Sequence, residues 1–228
     1  MQAAFTRNRF LYVMSGAAAA LGMSPRVEAA GVSARLSSSS ALEQLLEGNH
    51  RYRTGRPIHT EHTARREETA GSQQPFAIVL SCSDSRVPPE FVFDQGIGDL
   101  FVVRVAGNVA TDVGIGSVEY AVSHFGSALL VILGHTKCGA VSATVDALAN
   151  GGTVPGQIAA IVDQIAPAAR ASAHERGDKY LNATKANARA VASTLKATQP
   201  IIAPAVAAKK LEVVPMLYAL NSGQVTRL

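Results

Sequence analysis

Two short apolar runs in this sequence lead directly into residues that bind metal ions. The run 76–80 precedes Cys82, and the run 129–133 precedes His135 and Cys138. Short runs of this composition are typical of buried strands. Because reactive groups gather at the carboxyl ends of the strands in a parallel α/β sheet, we expect these three side chains to lie close together.

The chain contains only two cysteines, and both belong to these segments. Two thiolates and one imidazole are zinc ligands, and three protein ligands leave a fourth position for water, as in catalytic zinc sites. From the spacing alone, two other interpretations stay open. Cys82 and Cys138 could form a disulfide, or each could be an inert buried residue.

The alternation of apolar runs with helical patterns predicts an α/β fold. We expect a mostly parallel central sheet of four to five strands, flanked by helices and preceded by an N-terminal helical arm. Ser40 is predicted to cap a helix that begins at Ala41. Pro215 predicts that the last strand lies at a sheet edge. The predicted strands are 76–81, 100–105, 129–133 and 211–219, and the predicted helices after the arm are 116–124, 140–150, 157–173 and 179–198.

The first 30 residues have the pattern of a signal peptide. Arg7 and Arg9 precede an apolar stretch, residues 10–23, and small residues near Ala30 offer a cleavage site. Residues 6–11 are similar to a twin-arginine signal, with Asn8 in place of the second arginine. We therefore expect an exported, periplasmic protein, with a cytoplasmic protein carrying an unstructured tail as the alternative. Residues 31–40, which end in four serines, are predicted to be a linker before a domain spanning residues 41–228.

Charge and composition exclude several classes of partner. The formal net charge is only +4, and no basic patch interleaved with aromatic residues is present, so we expect no nucleic-acid partner. No stretch after the leader approaches the length of a membrane span, and we expect no stable one.

A carboxylate and a guanidinium follow the first cysteine. Asp84 lies two residues after Cys82, and Arg86 two residues further on. Asp84 could accept a hydrogen bond from water at the open metal position, and Arg86 could hold that carboxylate ionised with a forked pair of hydrogen bonds. An ion pair that only stabilises a turn is the alternative.

These segments together resemble a known family. Cys-Ser-Asp-Ser-Arg at 82–86 and Gly-His-x-x-Cys-Gly at 134–139 resemble the two signatures of the β-class carbonic anhydrases. The resemblance extends from about Ala41 to the end of the chain and includes residues 88–90, 98–108 and 117–122. It implies an enzyme with one Zn²⁺ per subunit that interconverts carbon dioxide and water with bicarbonate and a proton.

The resemblance also implies roles for individual residues. Asp84 and Arg86 form the catalytic pair, and Asp84 can take the fourth metal position in a closed state. In the family the glutamine and the two aromatic residues of the pocket come from the neighbouring subunit, which implies a homodimer or homotetramer. The implied substrate-binding residues are Gln73, Phe101, Tyr120 and the backbone amide of Gly139.

Two other functions remain open on the sequence. The same fold and metal could hydrolyse carbonyl sulfide or carbon disulfide, as some relatives of the family do. The chain could also bind zinc or bicarbonate without turnover. The presence of Asp84, Arg86 and Gln73 argues against this last possibility.

Overall fold

The structure is a computed structural model that describes residues 36–151 and 154–228. The predicted signal peptide and residues 31–35 of the predicted linker lie outside the described residues. Among the described residues, no helix is long and apolar enough to span a membrane. The elements in chain order are α1 (Ser38–Arg53), α2 (His62–Thr69), β1 (Ala77–Ser81), α3 (Pro89–Val92), β2 (Leu100–Arg104), a 3-10 turn (Ala106–Asn108), α4 (Asp112–Phe125), β3 (Leu129–His135), α5 (Gly139–Asn150), α6 (Ile158–Ala171), α7 (Lys179–Ala197), α8 (Ile202–Ala207), β4 (Glu212–Tyr218) and β5 (Val225–Arg227).

The centre of the fold is one five-stranded sheet with the order β2-β1-β3-β4-β5. The first four strands run parallel, and β5 pairs antiparallel with β4. This arrangement confirms the predicted α/β class and the mostly parallel sheet. The four strands predicted from the sequence match β1 to β4 to within two residues at each end. The three-residue β5 is too short to produce a periodic signal in the sequence.

The two faces of the sheet form two separate cores, because successive side chains of a strand point to opposite faces. On one face, Val79 of β1 and Val131 of β3 pack with Leu45 of α1. On the other, Leu80 packs with buried residues of α7, including Val191. Every residue of β1 and of β3 is buried. Helices therefore cover both faces, as the continuous apolar runs predict.

Pro215 does not place its strand at an edge, so that prediction was wrong. β4 pairs with β3 on one side and with β5 on the other. The N–H and C=O of one residue point the same way in a strand, and the Pro215 carbonyl accepts from Leu228 at 3.0 Å, on the β5 side. The N–H that Pro215 lacks would therefore point toward β5 and not toward β3. Pro215 lies one residue before Met216, the first residue of β4 that pairs with β5. A proline is tolerated there without breaking the ladder with β3.

The first helix begins earlier than the sequence pattern predicts. α1 starts at Ser38, and its cap is Ser37, whose hydroxyl accepts from the Ser40 amide at 3.1 Å. Ser40 is therefore not the cap, and residues 38–40 are helical rather than part of a linker. A run of serines offers several equivalent capping residues, and the sequence pattern does not distinguish among them.

Candidate metal centre

The ends of two adjacent parallel strands bring three possible metal ligands together. Cys82 follows β1 directly, His135 is the last residue of β3, and Ser81 lies opposite Leu133 in the pairing of these strands. Cys138 caps the N-terminus of α5. The ligand atoms of Cys82, His135 and Cys138 all lie within 4.8 Å of one another, and the three residues are buried. We call these three residues the metal-ligand group.

The orientation of His135 suits metal binding. Its Nδ1 lies 3.0 Å from the Thr136 carbonyl oxygen, which can only accept, so Nδ1 carries the proton. Its Nε2 is buried and has no hydrogen-bond partner among the described residues. A buried nitrogen lone pair without a donor is costly unless it binds a cation. A carbonyl that fixes the tautomer in this way is a common second contact of metal-binding histidines.

The two cysteine sulfurs share a hydrogen bond and do not form a disulfide. Both cysteines are free, which excludes the disulfide interpretation for this structure. A hydrogen bond with Cys138 lowers the pKa of the Cys82 thiol to about 4, against the opposing effect of burial. The same hydrogen bond, together with burial, raises the pKa of Cys138 well above its usual range. The pair therefore favours one thiolate and one shared proton, and a cation bound between the sulfurs would take the place of that proton.

Asp84 lies beside this group and is held by Arg86. The Arg86 Nε donates to Asp84 Oδ1 at 2.9 Å, and a terminal nitrogen donates to Oδ2 at 2.7 Å. The Arg86 amide adds a third bond to Oδ1 at 3.0 Å. These hydrogen bonds hold the pKa of the Asp84 carboxyl well below its usual range. Asp84 Oδ2 also lies 3.8 Å from His135 Nε2, so an ionised acceptor borders the place where a metal would bind.

The segment that carries Cys82 and Asp84 is fixed by a residue that our sequence analysis did not single out. The Arg104 Nε donates to the Cys82 carbonyl at 3.1 Å, and its terminal nitrogen donates to the Asp84 carbonyl at 2.6 Å. Arg104 is the last residue of β2, adjacent in the sheet to the end of β1. Its position at the carboxyl end of a predicted strand was the one signal in the sequence that could have identified it.

A second contact comes from the 3-10 turn after β2. The Gly107 amide donates to the Cys82 sulfur at 3.3 Å in a buried setting. Gly107 has φ +71°, and a Cβ there would lie 2.6 Å from Ile165 Cδ1, so glycine is required on both counts. An N–H aimed at the sulfur stabilises the thiolate and adjusts how strongly it binds a cation.

The predicted substrate-binding residues divide into two sets. Gly139 follows Cys138 as the first residue of α5, where its amide has no partner within the helix. Gln73 precedes β1, and Phe101 is the second residue of β2, so both lie at the amino edge of the sheet. Along a strand, Phe101 is four residues, or about 13 Å, from the level of Cys82. These residues therefore do not join the metal-ligand group within one chain.

Tyr120 belongs with Phe101 rather than with the metal-ligand group. Their ring centroids are 6.2 Å apart, and Tyr120 also stacks on His124 at 4.0 Å. Tyr120 is 44% exposed even though its ring packs on those of Phe101 and His124. We call Gln73, Phe101 and Tyr120 the pocket group.

The geometry and chemistry of the metal-ligand group define what this site can do. Two sulfurs and one imidazole nitrogen form a soft ligand set with three protein donors. An ionised carboxylate next to them can accept a proton or orient a bound water. An amide donor at Gly139 can stabilise negative charge that develops nearby. Such a set can polarise a small electrophile and direct water onto it.

Most of the chain is similar to known carbonic anhydrases. Residues 77–225 match the family model described as "Carbonic anhydrase". Carbonic anhydrase 2 of Mycobacterium tuberculosis is 36% identical over 187 residues, which cover 81% of this chain and 90% of that protein. The carbonic anhydrase of Mycolicibacterium smegmatis is 38% identical over 190 residues, covering 82% of this chain and 91% of that protein.

Solved structures show the same fold. The Coccomyxa β-carbonic anhydrase in complex with acetazolamide superposes with a TM-score of 0.65 at 26% identity, covering 82% of this chain and 86% of that one. A tetrameric β-carbonic anhydrase from Sordaria macrospora gives the same TM-score of 0.65 at 23% identity, covering 83% of this chain and 97% of that one, and so supports the fold alone. Together with the match to the family model, these similarities show that the chain belongs to the β-carbonic anhydrase family.

Proposed function

We propose that this chain binds one Zn²⁺ per subunit and catalyses the reversible conversion of carbon dioxide and water to bicarbonate and a proton. The observation that carries the proposal is the metal-ligand group, a Cys, His, Cys set whose ligand atoms lie within 4.8 Å of one another. The family relationship supports the reaction, and the ligand chemistry supports the metal. Thiolate and imidazole donors with three protein ligands are typical of zinc that keeps one position open.

The residues of the site have separable roles. When bound, zinc supplies an acidified water and a Lewis acid. Asp84 accepts a hydrogen bond from the attacking water and directs it toward the carbon of carbon dioxide. Arg86 keeps Asp84 ionised and aimed through the two bonds at 2.9 and 2.7 Å. The Gly139 amide donates to a substrate oxygen as negative charge builds on it. Attack forms one carbon–oxygen bond while one C=O π bond of carbon dioxide breaks and its electron pair moves onto oxygen, and the proton lost from water leaves to solvent.

Substrate access is consistent with these roles. A surface cleft of about 870 Å³ lies beside the site, and Arg86 and Lys137 form part of its lining. Lys137 separates His135 from Cys138 in sequence and is exposed. The lining also includes the carboxylate Asp178, and Arg86 is paired with Asp84, so Lys137 is the cation that would favour the approach of small anions such as bicarbonate.

We further propose that the working unit is at least a dimer. The pocket group lies at the opposite edge of the sheet from the metal-ligand group, so one chain does not assemble a complete site. A neighbouring subunit that presents its own Gln73, Phe101 and Tyr120 would complete it. The 44% exposure of Tyr120 supports this arrangement, since an interface would bury the ring. We propose a homodimer or a homotetramer; the similar structure from Sordaria macrospora belongs to a protein that is described as tetrameric.

We propose export to the periplasm on the pattern of residues 1–30 alone. A thiolate metal site favours folding before crossing, because Cys82 and Cys138 could oxidise in an oxidising compartment before they meet metal. Mass spectrometry of the native protein tests this proposal. A mature N-terminus near Ala30 or Gly31 supports export, whereas an intact Met1 in the cytosolic fraction refutes it.

The decisive experiment is stopped-flow measurement of carbon dioxide hydration, with zinc content measured on the same preparation. We expect hydration far above the buffer rate and one zinc per chain. A parallel assay with carbonyl sulfide and carbon disulfide separates the hydrolase alternative. A protein that binds zinc and turns over none of these substrates would contradict the proposal.

A further inference from the structure

A buried amide on α7 is connected to the metal-ligand group through the 3-10 turn after β2. Asn187 is 1% exposed. Its neighbours at i−4, i−3 and i+4 on the same helix face are the buried residues Ala183, Thr184 and Val191, two of which are apolar. An amide buried in such surroundings is unfavourable unless it forms hydrogen bonds. Packing alone would be served equally well by an apolar side chain, so the contact that Asn187 makes needs a separate reason.

That contact is with the turn that holds the first metal ligand. The Asn187 Nδ2 donates to the Gly107 carbonyl at 2.8 Å, across 80 positions of sequence. The Gly107 amide in turn donates to the Cys82 sulfur at 3.3 Å. Asn187 therefore reaches the sulfur through a single glycine.

The Gly107 amide and the Gly107 carbonyl belong to two successive peptide planes that meet at the glycine. The Gly107 carbonyl and the Asn108 amide belong to one peptide plane, and the Asn108 amide donates to the Val105 carbonyl at 2.9 Å. Asn187 and Val105 thus hold the two ends of that plane. The preceding plane carries the Gly107 amide that points at Cys82. Because glycine has no Cβ and little conformational preference of its own, the φ of +71° at Gly107, and with it the direction of the Gly107 N–H, is set by the hydrogen bonds that hold the 107–108 plane.

We propose that Asn187 is a positioning residue for the metal centre, acting through the Gly107 peptide to keep an N–H donor aimed at the Cys82 sulfur. Loss of the Asn187 amide frees one end of the 107–108 peptide. The Gly107 amide then no longer points at the Cys82 sulfur. The thiolate loses a hydrogen bond that affects how strongly it binds a cation. Groups of this kind around a metal site typically change metal affinity 10–100-fold when they are removed.

The inference rests on the proposed function only in naming zinc as the metal. The variants Asn187→Leu and Asn187→Ser both remove the amide, and the smaller serine fits the space without strain. Thr184→Val is the matched control. Thr184 is 2% exposed on the same helix, and its hydroxyl donates to the Tyr180 carbonyl at 2.8 Å rather than to the turn.

The test is zinc affinity, measured by competition with a chromophoric chelator on metal-depleted protein. We expect both Asn187 variants to bind zinc about tenfold or more weakly than wild type, and Thr184→Val to bind as wild type does. Substitution with cobalt supplies a second readout. The thiolate-to-cobalt absorption band should shift in the Asn187 variants and stay in place in the control, because the band reports the electron density on the sulfur.

Two results would overturn the inference. One is wild-type zinc affinity and an unchanged cobalt band in the Asn187 variants, with stability lowered only as much as in Thr184→Val. The other is failure of both Asn187 variants to fold while the control folds, since Asn187 would then support the fold as a whole. Wild-type protein without zinc or hydration activity would instead contradict the proposed function, so the two failures are distinguishable.

Discussion

The metal-ligand group and the pocket group differ in how completely one chain assembles them. The metal-ligand group is buried, lies at the carboxyl ends of two paired strands, and is complete within one chain. The pocket group lies at the amino edge of the same sheet, with Gln73 and Tyr120 exposed. The first arrangement follows from strand pairing, which the chain specifies internally. The pocket group would contribute to a site only where a neighbouring subunit packs against it, as proposed above.

The strongest test of the metal-ligand group is the removal of one sulfur. Cys138→Ser should lose zinc and hydration activity together, with activity reduced by at least ~10³-fold, because the ion supplies the reactive water. Zinc content is measured by atomic absorption and hydration by stopped flow. Ser83→Ala, an exposed substitution next to Cys82, is the control and should keep both. Full zinc occupancy in Cys138→Ser would remove Cys138 from the ligand set.

Mixing two impaired variants tests whether the two groups meet across a subunit interface. Gln73→Ala should reduce activity about 10²-fold, as expected for loss of a substrate donor. In a hybrid dimer of Gln73→Ala and Cys138→Ser chains, one site carries both lesions and the other carries neither. Random assembly then restores about a quarter of the wild-type sites.

The readout of the mixing experiment is hydration activity after the two variants are unfolded and refolded together with zinc. Each variant refolded alone is the control. Activity of the mixture no higher than the average of the two would mean that each site is built from one chain.

Sequence reasoning reaches the metal-ligand group because a strand is a local feature and its pairing follows general rules. The runs before Cys82 and His135 predicted β1 and β3, and parallel pairing then brought their ends together. The same reasoning failed at Pro215, because a single residue does not reveal which side of the strand its missing donor faces. It also missed β5, which is only three residues long.

The contacts that support the ligands were not predictable in the same way. Arg104 and Asn187 donate hydrogen bonds to backbone carbonyls. Every residue has a backbone carbonyl, so the sequence does not indicate which one accepts. Asn187 does interrupt an apolar stripe on α7, which marks a buried polar residue that needs a partner. The stripe does not name that partner, since Gly107 lies 80 positions away and has a backbone conformation that sequence alone does not specify.

Removal of the Arg86 side chain should separate zinc binding from catalysis. Arg86→Ala is expected to keep its zinc and to lose activity ~10–100-fold, because Arg86 bonds Asp84 and not the ligands. The hydrogen bonds from Arg86 lower the pKa of Asp84, so their loss returns that pKa toward the usual value of about 3.9. The carboxylate then protonates at a higher pH than in wild type, and the acid side of the pH–rate profile moves upward in pH.

The check on this prediction is the profile of kcat against pH for wild type, Arg86→Ala and Arg86→Lys. Lysine supplies charge without the forked geometry, so we expect it to restore only part of the rate. If Arg86→Ala kept the wild-type rate at every pH, the pair would serve only to stabilise the turn.

The smallest expected effect is on the pocket group, where Tyr120→Ala should weaken association more than folding. In one chain the ring is 44% exposed and stacks on His124 at 4.0 Å, so we expect a loss of about 1 kcal/mol in unfolding free energy. If the ring is buried between subunits, its truncation should raise the dimer dissociation constant about tenfold or more. Sedimentation over a range of concentrations measures association, and denaturant unfolding measures stability.

Ile158→Ala, which removes a 53% exposed apolar side chain at the start of α6, is the matched control and should change neither appreciably. Zinc content should equal that of wild type, because Tyr120 is not one of the metal ligands. Unchanged association in Tyr120→Ala would place the pocket group outside the interface, and the site would then need another source for its second half.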